Sequence, residues 1–312
     1  MFRPMLHTWL VVASLTQVGC AGTWDTVTSR RFRDHPGPTM KRMVIPEDPV
    51  AVLLGEPPRD RDECAAAMRR LKEPINNGGT QGDQDAVLVV LEKAAISDPS
   101  PVLRMEAIGA LSRFEDVRTT NILIAAYQSA HGRKEGEAGP PKLADLGVAT
   151  AGLNGGMPAR KSALEQFDMK SGPTGYPPEW VSAIRCRAAE SLGKTNRPEA
   201  AKFLATIAGG AGKDVAMDGS EDRDVRLAAV RGLGKCRQPE AVVALAEVLQ
   251  TEADKRDTAM IGRTHQGLVH LTGKKLPADP AAWKEVVQAG VVIAPEPTWF
   301  DVAIESAMFW EK

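Results

Sequence analysis

The sequence predicts an all-α fold, a right-handed α-solenoid of about five helical pairs, and three observations support this prediction. The first is composition: among 312 residues only 5% are aromatic and alanine is abundant, which favours close-packed helices over sheets. The second is an internal repeat in which two copies are offset by 41 residues. The third is the spacing of apolar residues within a copy, which places them along one face of a helix.

The repeat is clearest in two neighbouring segments. A gapless alignment joins residues 184–205, "IRCRAAESLGKTNRPEAAKFLA", to residues 225–246, "VRLAAVRGLGKCRQPEAVVALA". The two copies share an arginine, an alanine, Leu-Gly-Lys, Pro-Glu-Ala and Leu-Ala in register. Weaker copies occupy residues 64–71, 103–114 and 264–273.

One copy has the pattern of a helix–turn–helix unit. Val225, Ala229 and Leu233 lie at i, i+4 and i+8, so they share one helical face, and the small alanine lets a neighbouring helix approach closely. Gly234 is expected to end this helix as a C-cap. Pro239 is expected to begin the next helix, because its missing N–H costs little in a first turn. Since neither helix can bury its apolar face alone, the copies are expected to stack.

These residues resemble HEAT repeats, especially the short HEAT-like type shared with phycobilin lyases. The resemblance covers residues 48–290, and it implies that the helix with the "VRxxA…LG" pattern is the second of each pair. It implies helical pairs at residues 48–54 with 60–73, 84–96 with 100–114, 116–130 with 179–194, 198–209 with 222–236, and 238–252 with 256–272, followed by a sixth layer that starts at 279–290.

An arginine recurs at one repeat position, in Arg104, Arg185 and Arg226. The resemblance implies that these arginines form a structural hydrogen-bond ladder between repeats, each with an acid in the preceding turn. Asp98 and Glu179 lie at the expected places before Arg104 and Arg185, whereas the match breaks before Arg226. Bidentate arginine–carboxylate bonds suit such a ladder. The alternative is a basic row that lines a binding face.

The first residues of the chain predict its location. Residues 1–20 have the anatomy of a signal peptide, with an apolar stretch too short to span a bilayer. The four residues around Cys20 resemble the lipobox of bacterial lipoproteins, although Gln17 departs from that pattern. The resemblance implies lipidation of Cys20, a linker over residues 21–47, and a lipid-anchored protein on the periplasmic side of a membrane. Cleavage by ordinary signal peptidase, or no cleavage, remains an alternative.

A long insertion at residues 131–177 interrupts the third pair, between its two helices. Loops of this length are uncommon unless they are functional or disordered. The insertion is therefore either a surface excursion or a contact site for a protein partner. The candidate contact residues are Arg160, Lys161, Phe167, Tyr176 and Trp180.

The end of the chain, residues 291–312, carries four aromatic residues and is expected to cap the last repeat, because terminal repeats need such a cover. A helix that touches lipid is the alternative, but the expected basic residues are missing from its polar face.

The remaining features argue against several chemistries. The net charge of −1 disfavours a general nucleic-acid binder, and the scattered Cys64, Cys186 and Cys236 do not form a zinc motif. No catalytic constellation or cofactor motif is present, so we expect a monomeric, non-enzymatic scaffold that binds protein partners and needs no cofactor. Two alternatives stay open: a lyase-type enzyme or small-ligand-binding protein, as the resemblance to phycobilin lyases implies, and a purely structural envelope protein.

Overall fold

The computed structural model describes residues 47–55, 59–130, 176–210 and 223–295, and these ranges contain eleven α-helices, one 3-10 turn and no strand. The 3-10 turn, Ile75–Asn77, lies between the second and third helices. In chain order the helices are α1 (Pro49–Leu54), α2 (Arg61–Arg70), α3 (Gln81–Ser97), α4 (Pro101–Leu111), α5 (Arg118–Gln128), α6 (Pro178–Lys194), α7 (Pro198–Ala208), α8 (Arg223–Leu233), α9 (Pro239–Lys255), α10 (Thr258–Thr272) and α11 (Pro280–Gln288).

The helices stack in two layers. The first helices of the pairs, α1, α3, α5, α7 and α9, pack on one another in chain order, and α11 packs on α9. The second helices, α2, α4, α6, α8 and α10, form a second layer in which each contacts the next. Each first helix also packs against its own second helix. The predicted all-α stack of five helical pairs is confirmed, and the predicted boundaries agree to within about three residues.

Local sequence signals start most of these helices. A proline occupies the first turn of six helices, where its missing N–H removes no intrahelical bond. Helix α3 begins with a capping box: the Asp83 N–H donates to Thr80 Oγ1 at 3.2 Å, and the Thr80 N–H donates to Asp83 Oδ2 at 2.9 Å. Asp257 and Asp279 accept main-chain hydrogen bonds in the same way at the starts of α10 and α11.

Small residues set the distance between the second-layer helices. Ala107, Ala188 and Ala229, which share one repeat position, are completely buried. At the contact between α6 and α8 there is no room for a side chain: a β-carbon on Gly232 would lie 2.5 Å from the carbonyl oxygen of Ala189. Helices α6 and α8 therefore pack main chain against main chain over their C-terminal turns.

Gly234 has a different role from the one that its sequence context suggests. Helix α8 does end at Leu233, but Gly234 does not adopt the positive φ of a left-handed C-cap. Instead a β-carbon on Gly234 would lie 3.1 Å from the Cα of Gly267 on α10. The glycine is thus needed for close packing between α8 and α10, whereas Gly273, with φ of 69°, provides a left-handed cap for α10.

The connections divide the stack into two ends. The ends of the helices that are joined within a pair lie at one end, which we call the insertion end because Ala130 and Tyr176, the residues that flank the insertion, lie there. The loops between pairs lie at the opposite end, the turn end, at residues 71–80, 112–117, 195–197, 234–238 and 273–279.

The last repeat is covered by α11 and the chain that follows it. Trp283 on α11 is fully buried, and its Nε1–H donates to the carbonyl of Pro277 at 2.8 Å. The Ala294 N–H donates to the Leu271 carbonyl at 2.8 Å, which holds the following segment against α10. The rest of the predicted cap, residues 296–312, lies outside the described residues.

Candidate interaction surface

The first repeated arginine, Arg104, is a junction between three helices. Its side chain is completely buried in the first half of α4. Its Nε–H donates to the carbonyl of Ala95 at 2.9 Å, and its Nη2 donates to the carbonyl and the hydroxyl of Ser129 at 3.0 and 2.8 Å. These acceptors lie at the ends of α3 and α5, where helical carbonyls have no intrahelical partner.

Arg226 occupies the same place two pairs further along the stack, on α8. Its Nε–H and Nη2 donate to the carbonyl of Ala208, at the end of α7, at 3.3 and 3.1 Å. Its Nη2 also pairs with Glu252 of α9, a carboxylate whose side chain is 1% exposed. Burial alone would raise the pKa of Glu252, but the hydrogen bonds from Arg226 and Lys255 lower it overall.

Arg185 lies between these two in the stack, and it is also buried. Its guanidinium carbon is 5.4 Å from the ring centroid of Tyr127 on α5, in a cation–π arrangement. Arg104 and Arg185 thus lie in the interior and Arg226 is partly buried, and Arg104 and Arg226 each join their own pair to the next first-layer helix. This placement does not agree with a basic row that lines a binding face.

Of the two predicted acids of the ladder, Asp98 is near enough for its charge to act on Arg104 but does not hydrogen-bond to it. Asp98 Oδ1 accepts a hydrogen bond from the Ser100 N–H at 2.7 Å, before α4, while the hydrogen bonds of Arg104 go to carbonyl and hydroxyl oxygens. Glu179 is exposed in the first turn of α6. The ladder therefore consists mainly of arginine bonds to helix-end carbonyls, because these groups lie within reach of the guanidinium and otherwise lack partners.

The acid that does pair with a ladder arginine, Glu252, comes 26 residues after Arg226, on the next first-layer helix. The sequence signal that could have revealed it is a glutamate in the C-terminal part of a helix whose other buried residues are apolar.

Two of the candidate contact residues mark the return of the chain into α6. Tyr176 is partly buried, its hydroxyl donates to the Asp98 carbonyl, and Arg104 lies over its ring at 5.5 Å. Trp180, in the first turn of α6, is 38% exposed. Tyr176 therefore makes an internal contact, and Trp180 is available at the surface. Arg160, Lys161, Phe167 and the lipidation candidate Cys20 lie outside the described residues.

An open depression lies between α8 and α10. It has a volume of about 430 Å³ and is lined by Leu227, Arg231, Thr258, Ala259, Gly262, Arg263 and Gln266. Arg231 is committed to an ion pair with Glu190 at 2.8 Å. The depression is therefore open, and its lining mixes apolar and polar residues with the cation of Arg263.

The two histidines of α10 make contacts within the repeat. His265 Nε2 lies 2.6 Å from the Leu276 carbonyl, and His270 Nδ1 lies 3.0 Å from the Gly234 carbonyl. Within the described ranges no three His, Cys, Asp or Glu side chains come together as a metal site, and none of the helices found there is long and apolar enough to span a membrane.

Comparisons with known proteins agree with this architecture. The family model described as the PBS lyase HEAT-like repeat matches residues 225–251, which cover most of α8 and the first part of α9. No significant match was found among curated proteins or among solved structures. The matched residues form one layer of a stack whose other layers repeat the same packing, so the match and the fold together support a HEAT-like repeat protein.

Proposed function

We propose that this chain is a non-catalytic scaffold for protein–protein interaction, held at the cell envelope by a lipid on Cys20. The observation that carries the proposal is the exposed Trp180, because an indole at a protein surface is typical of the residues that dominate binding interfaces. Trp180 lies where residues 131–175 rejoin the stack, and long loops on a rigid scaffold often carry function.

The internal chemistry of the stack supports a scaffold rather than an enzyme. The repeated arginines bond to helix ends, and both histidines of α10 contact main-chain carbonyls. Because these arginines and histidines bond to the protein's own main chain, they stabilise the stack. The groups that can contact a partner protein are then the exposed side chains of the helices and of the insertion end.

The experiment compares Trp180→Ala with Val89→Ala in the native cell envelope. Val89 on α3 is 39% exposed, so it is a matched apolar control on the other layer. Proteins captured by proximity labelling from the full chain are quantified by mass spectrometry for both variants. We expect Trp180→Ala to reduce the capture of specific partners at least about tenfold, as at interface hot spots, and Val89→Ala to leave it unchanged. Equal capture by both variants contradicts the proposal.

The anchor is tested separately, by mass spectrometry of the mature N-terminus. A diacylglycerol-modified Cys20 as the first residue supports the lipid anchor. An unmodified first residue other than Cys20 contradicts it.

Small-ligand binding is a second candidate, favoured by the depression between α8 and α10. Its volume of about 430 Å³ is within the range of small-molecule sites, and Arg263 offers a cation there. Mass spectrometry and absorbance of the purified chain test for a bound compound. A compound that is retained by the wild type and lost in Arg263→Gln supports this alternative.

A further inference from the structure

Four cationic side chains lie towards the turn end of the second layer, on three successive repeats. Arg113 follows α4, Arg187 and Lys194 are on α6, and Lys235 follows α8. All four residues are exposed. We call this row the basic edge.

The packing of α4 and α6 brings the two arginines of the basic edge together. Arg113 Nη1 donates to the carbonyl of Gly109 at 2.9 Å. Arg187 Nη2 lies 2.5 Å from the position that a β-carbon on Gly109 would occupy. Both guanidinium groups therefore approach the same residue of α4, although like charges repel each other.

The lysines are brought together by the glycine contacts between α6 and α8. Lys194 and Lys235 occupy equivalent positions in the two aligned copies, each directly after a buried glycine. Gly193 packs against the main chain of Gly232, which leaves no space for side chains between the helices. The pKa of Lys194 is lowered, first by partial burial and then by the charges of Lys235, Arg187 and Arg113.

The carboxylates that act on the basic edge are already engaged with other cations. Burial and then the charge of Arg187 lower the pKa of Arg113, and Glu106, which opposes this shift, is paired with Arg69 at 2.9 Å. Glu190 opposes the lowering of the Lys194 pKa, but it is paired with Arg231 at 2.8 Å.

Arg187, Lys194 and Lys235 form no hydrogen bond or ion pair with any residue in the described ranges. A lysine at a helix C-terminus is favoured by the helix dipole, which accounts for Lys194 and Lys235 in a purely structural way. It does not account for Arg187, which lies two turns before the end of α6. The basic edge thus carries positive charge that the described part of the protein leaves uncompensated.

Resting on the proposed scaffold function, we infer that the basic edge binds an extended acidic segment of a partner protein. Packed helices lie about 8–10 Å apart, so the row from α4 to α8 spans about 20 Å. An extended chain covers that distance with about six residues, at about 3.3 Å per residue. Carboxylates along such a segment meet the cations of all three repeats at once, whereas a single phosphate group reaches only one or two of them.

The test measures the binding of a fluorescein-labelled peptide of about eight glutamates to the full chain by fluorescence anisotropy. A glutamine peptide of equal length is the neutral control. The test variant is Lys194→Gln/Lys235→Gln, and the matched control is Lys202→Gln/Lys284→Gln, which removes two exposed lysines from α7 and α11 in the other layer. Circular dichroism verifies that both variants keep the helix content of the wild type.

We expect the glutamate peptide to bind the wild type and the control variant with equal affinity. Its affinity for the test variant should be about fivefold lower, which is the decrease expected for the loss of two exposed ion pairs. Raising NaCl from about 20 to about 300 mM should also weaken the binding of the glutamate peptide to the wild type, because salt screens exposed charges. Equal binding by the two variants, or equal binding of the glutamine peptide, overturns the inference.

Vesicles of phosphatidylglycerol and of phosphatidylcholine distinguish a membrane from a protein partner. Binding to anionic vesicles through Lys194 and Lys235, without binding of the glutamate peptide, also overturns the inference. These readouts are independent of Trp180, which lies near the insertion end, so this inference and the proposed function can fail separately.

Discussion

Gly193 on α6 and Gly232 on α8 meet so closely that a β-carbon on Gly193 would overlap the main chain of Gly232. This contact joins the third and fourth pairs over the last turns of their second helices. Backbone atoms on both sides of the contact leave little freedom for local adjustment, so side-chain repacking cannot relieve an overlap here.

The first prediction is that Gly193→Ala destabilises the protein although alanine favours helices. Helix propensity alone would give a gain of up to about 1 kcal/mol, but the overlap with Gly232 should cost more, giving a net loss of about 1–3 kcal/mol. Gly262→Ala is the matched control: it is also inside a helix, α10, and a β-carbon there meets nothing within 4 Å. This control should be neutral or slightly stabilising. Urea unfolding of both variants measures the effect, and a stabilised Gly193→Ala would show that the contact is not tight.

The second prediction concerns the ladder. Arg104→Met should lower the free energy of unfolding by about 2–4 kcal/mol, because it leaves buried carbonyls of α3 and α5 without a donor. Arg61→Met, at the exposed start of α2, should change it by less than about 0.5 kcal/mol. Thermal and urea unfolding compare the two. Similar losses in both variants would mean that the buried bonds contribute little.

The third prediction is a dependence on pH at the start of α10. Hydrogen bonds from Arg223, and then from the Met260 N–H, lower the pKa of Asp257 to about 2 from an ordinary value of 3.8. Because the folded-state pKa is depressed, the stabilisation is complete above about pH 4 and is lost as the pH falls towards 2. The difference in melting temperature between wild type and Asp257→Asn should therefore shrink over this interval.

Arg223→Gln removes the same pair from the other side, since Arg223 Nε and Nη2 donate to Asp257 at 3.1 and 3.0 Å. The difference in melting temperature between the wild type and Arg223→Gln should shrink over the same pH interval. The loss of stability in the double variant should be smaller than the sum of the losses in the two single variants. Strict additivity at pH 6 would contradict the pairing.

The fourth prediction is a difference in cysteine reactivity. Cys64 and Cys236 are buried, and burial raises the pKa of both thiols, to about 11 for Cys236. Cys186 is only partly buried. Iodoacetamide at about pH 8 should therefore modify Cys186 before the other two, which should react only after unfolding. Peptide mapping by mass spectrometry locates the label, and early modification of Cys236 would contradict its burial.

The sequence was sufficient to predict the helical pairs because each pair repeats the same local signals. The aligned copies at 184–205 and 225–246 contain the proline that begins a first helix and the apolar spacing that buries a second helix. Both signals act over a few residues, so they can be recognised without knowledge of the fold.

The partners of the repeated arginines could not be predicted in the same way. Ser129 follows Arg104 by 25 residues and Glu252 follows Arg226 by 26, so each meets its arginine only after the helices have stacked. The same applies to the basic edge, because Lys194 and Lys235 become neighbours only through the close packing of α6 and α8. Contacts of this kind depend on the angle and distance between helices, which no single repeat encodes.

Because the connections are separated into two ends, the two ends differ in whether they can accept inserted residues. At the turn end the connection between α6 and α7 is three residues, 195–197, so an added residue there would rotate one pair against the next. At the insertion end the chain leaves the stack at Ala130 and returns at Tyr176 without interrupting the packing of α5 on α6. New sequence, including an affinity tag or a whole domain, can therefore be exchanged at this point while the register of all the layers is preserved.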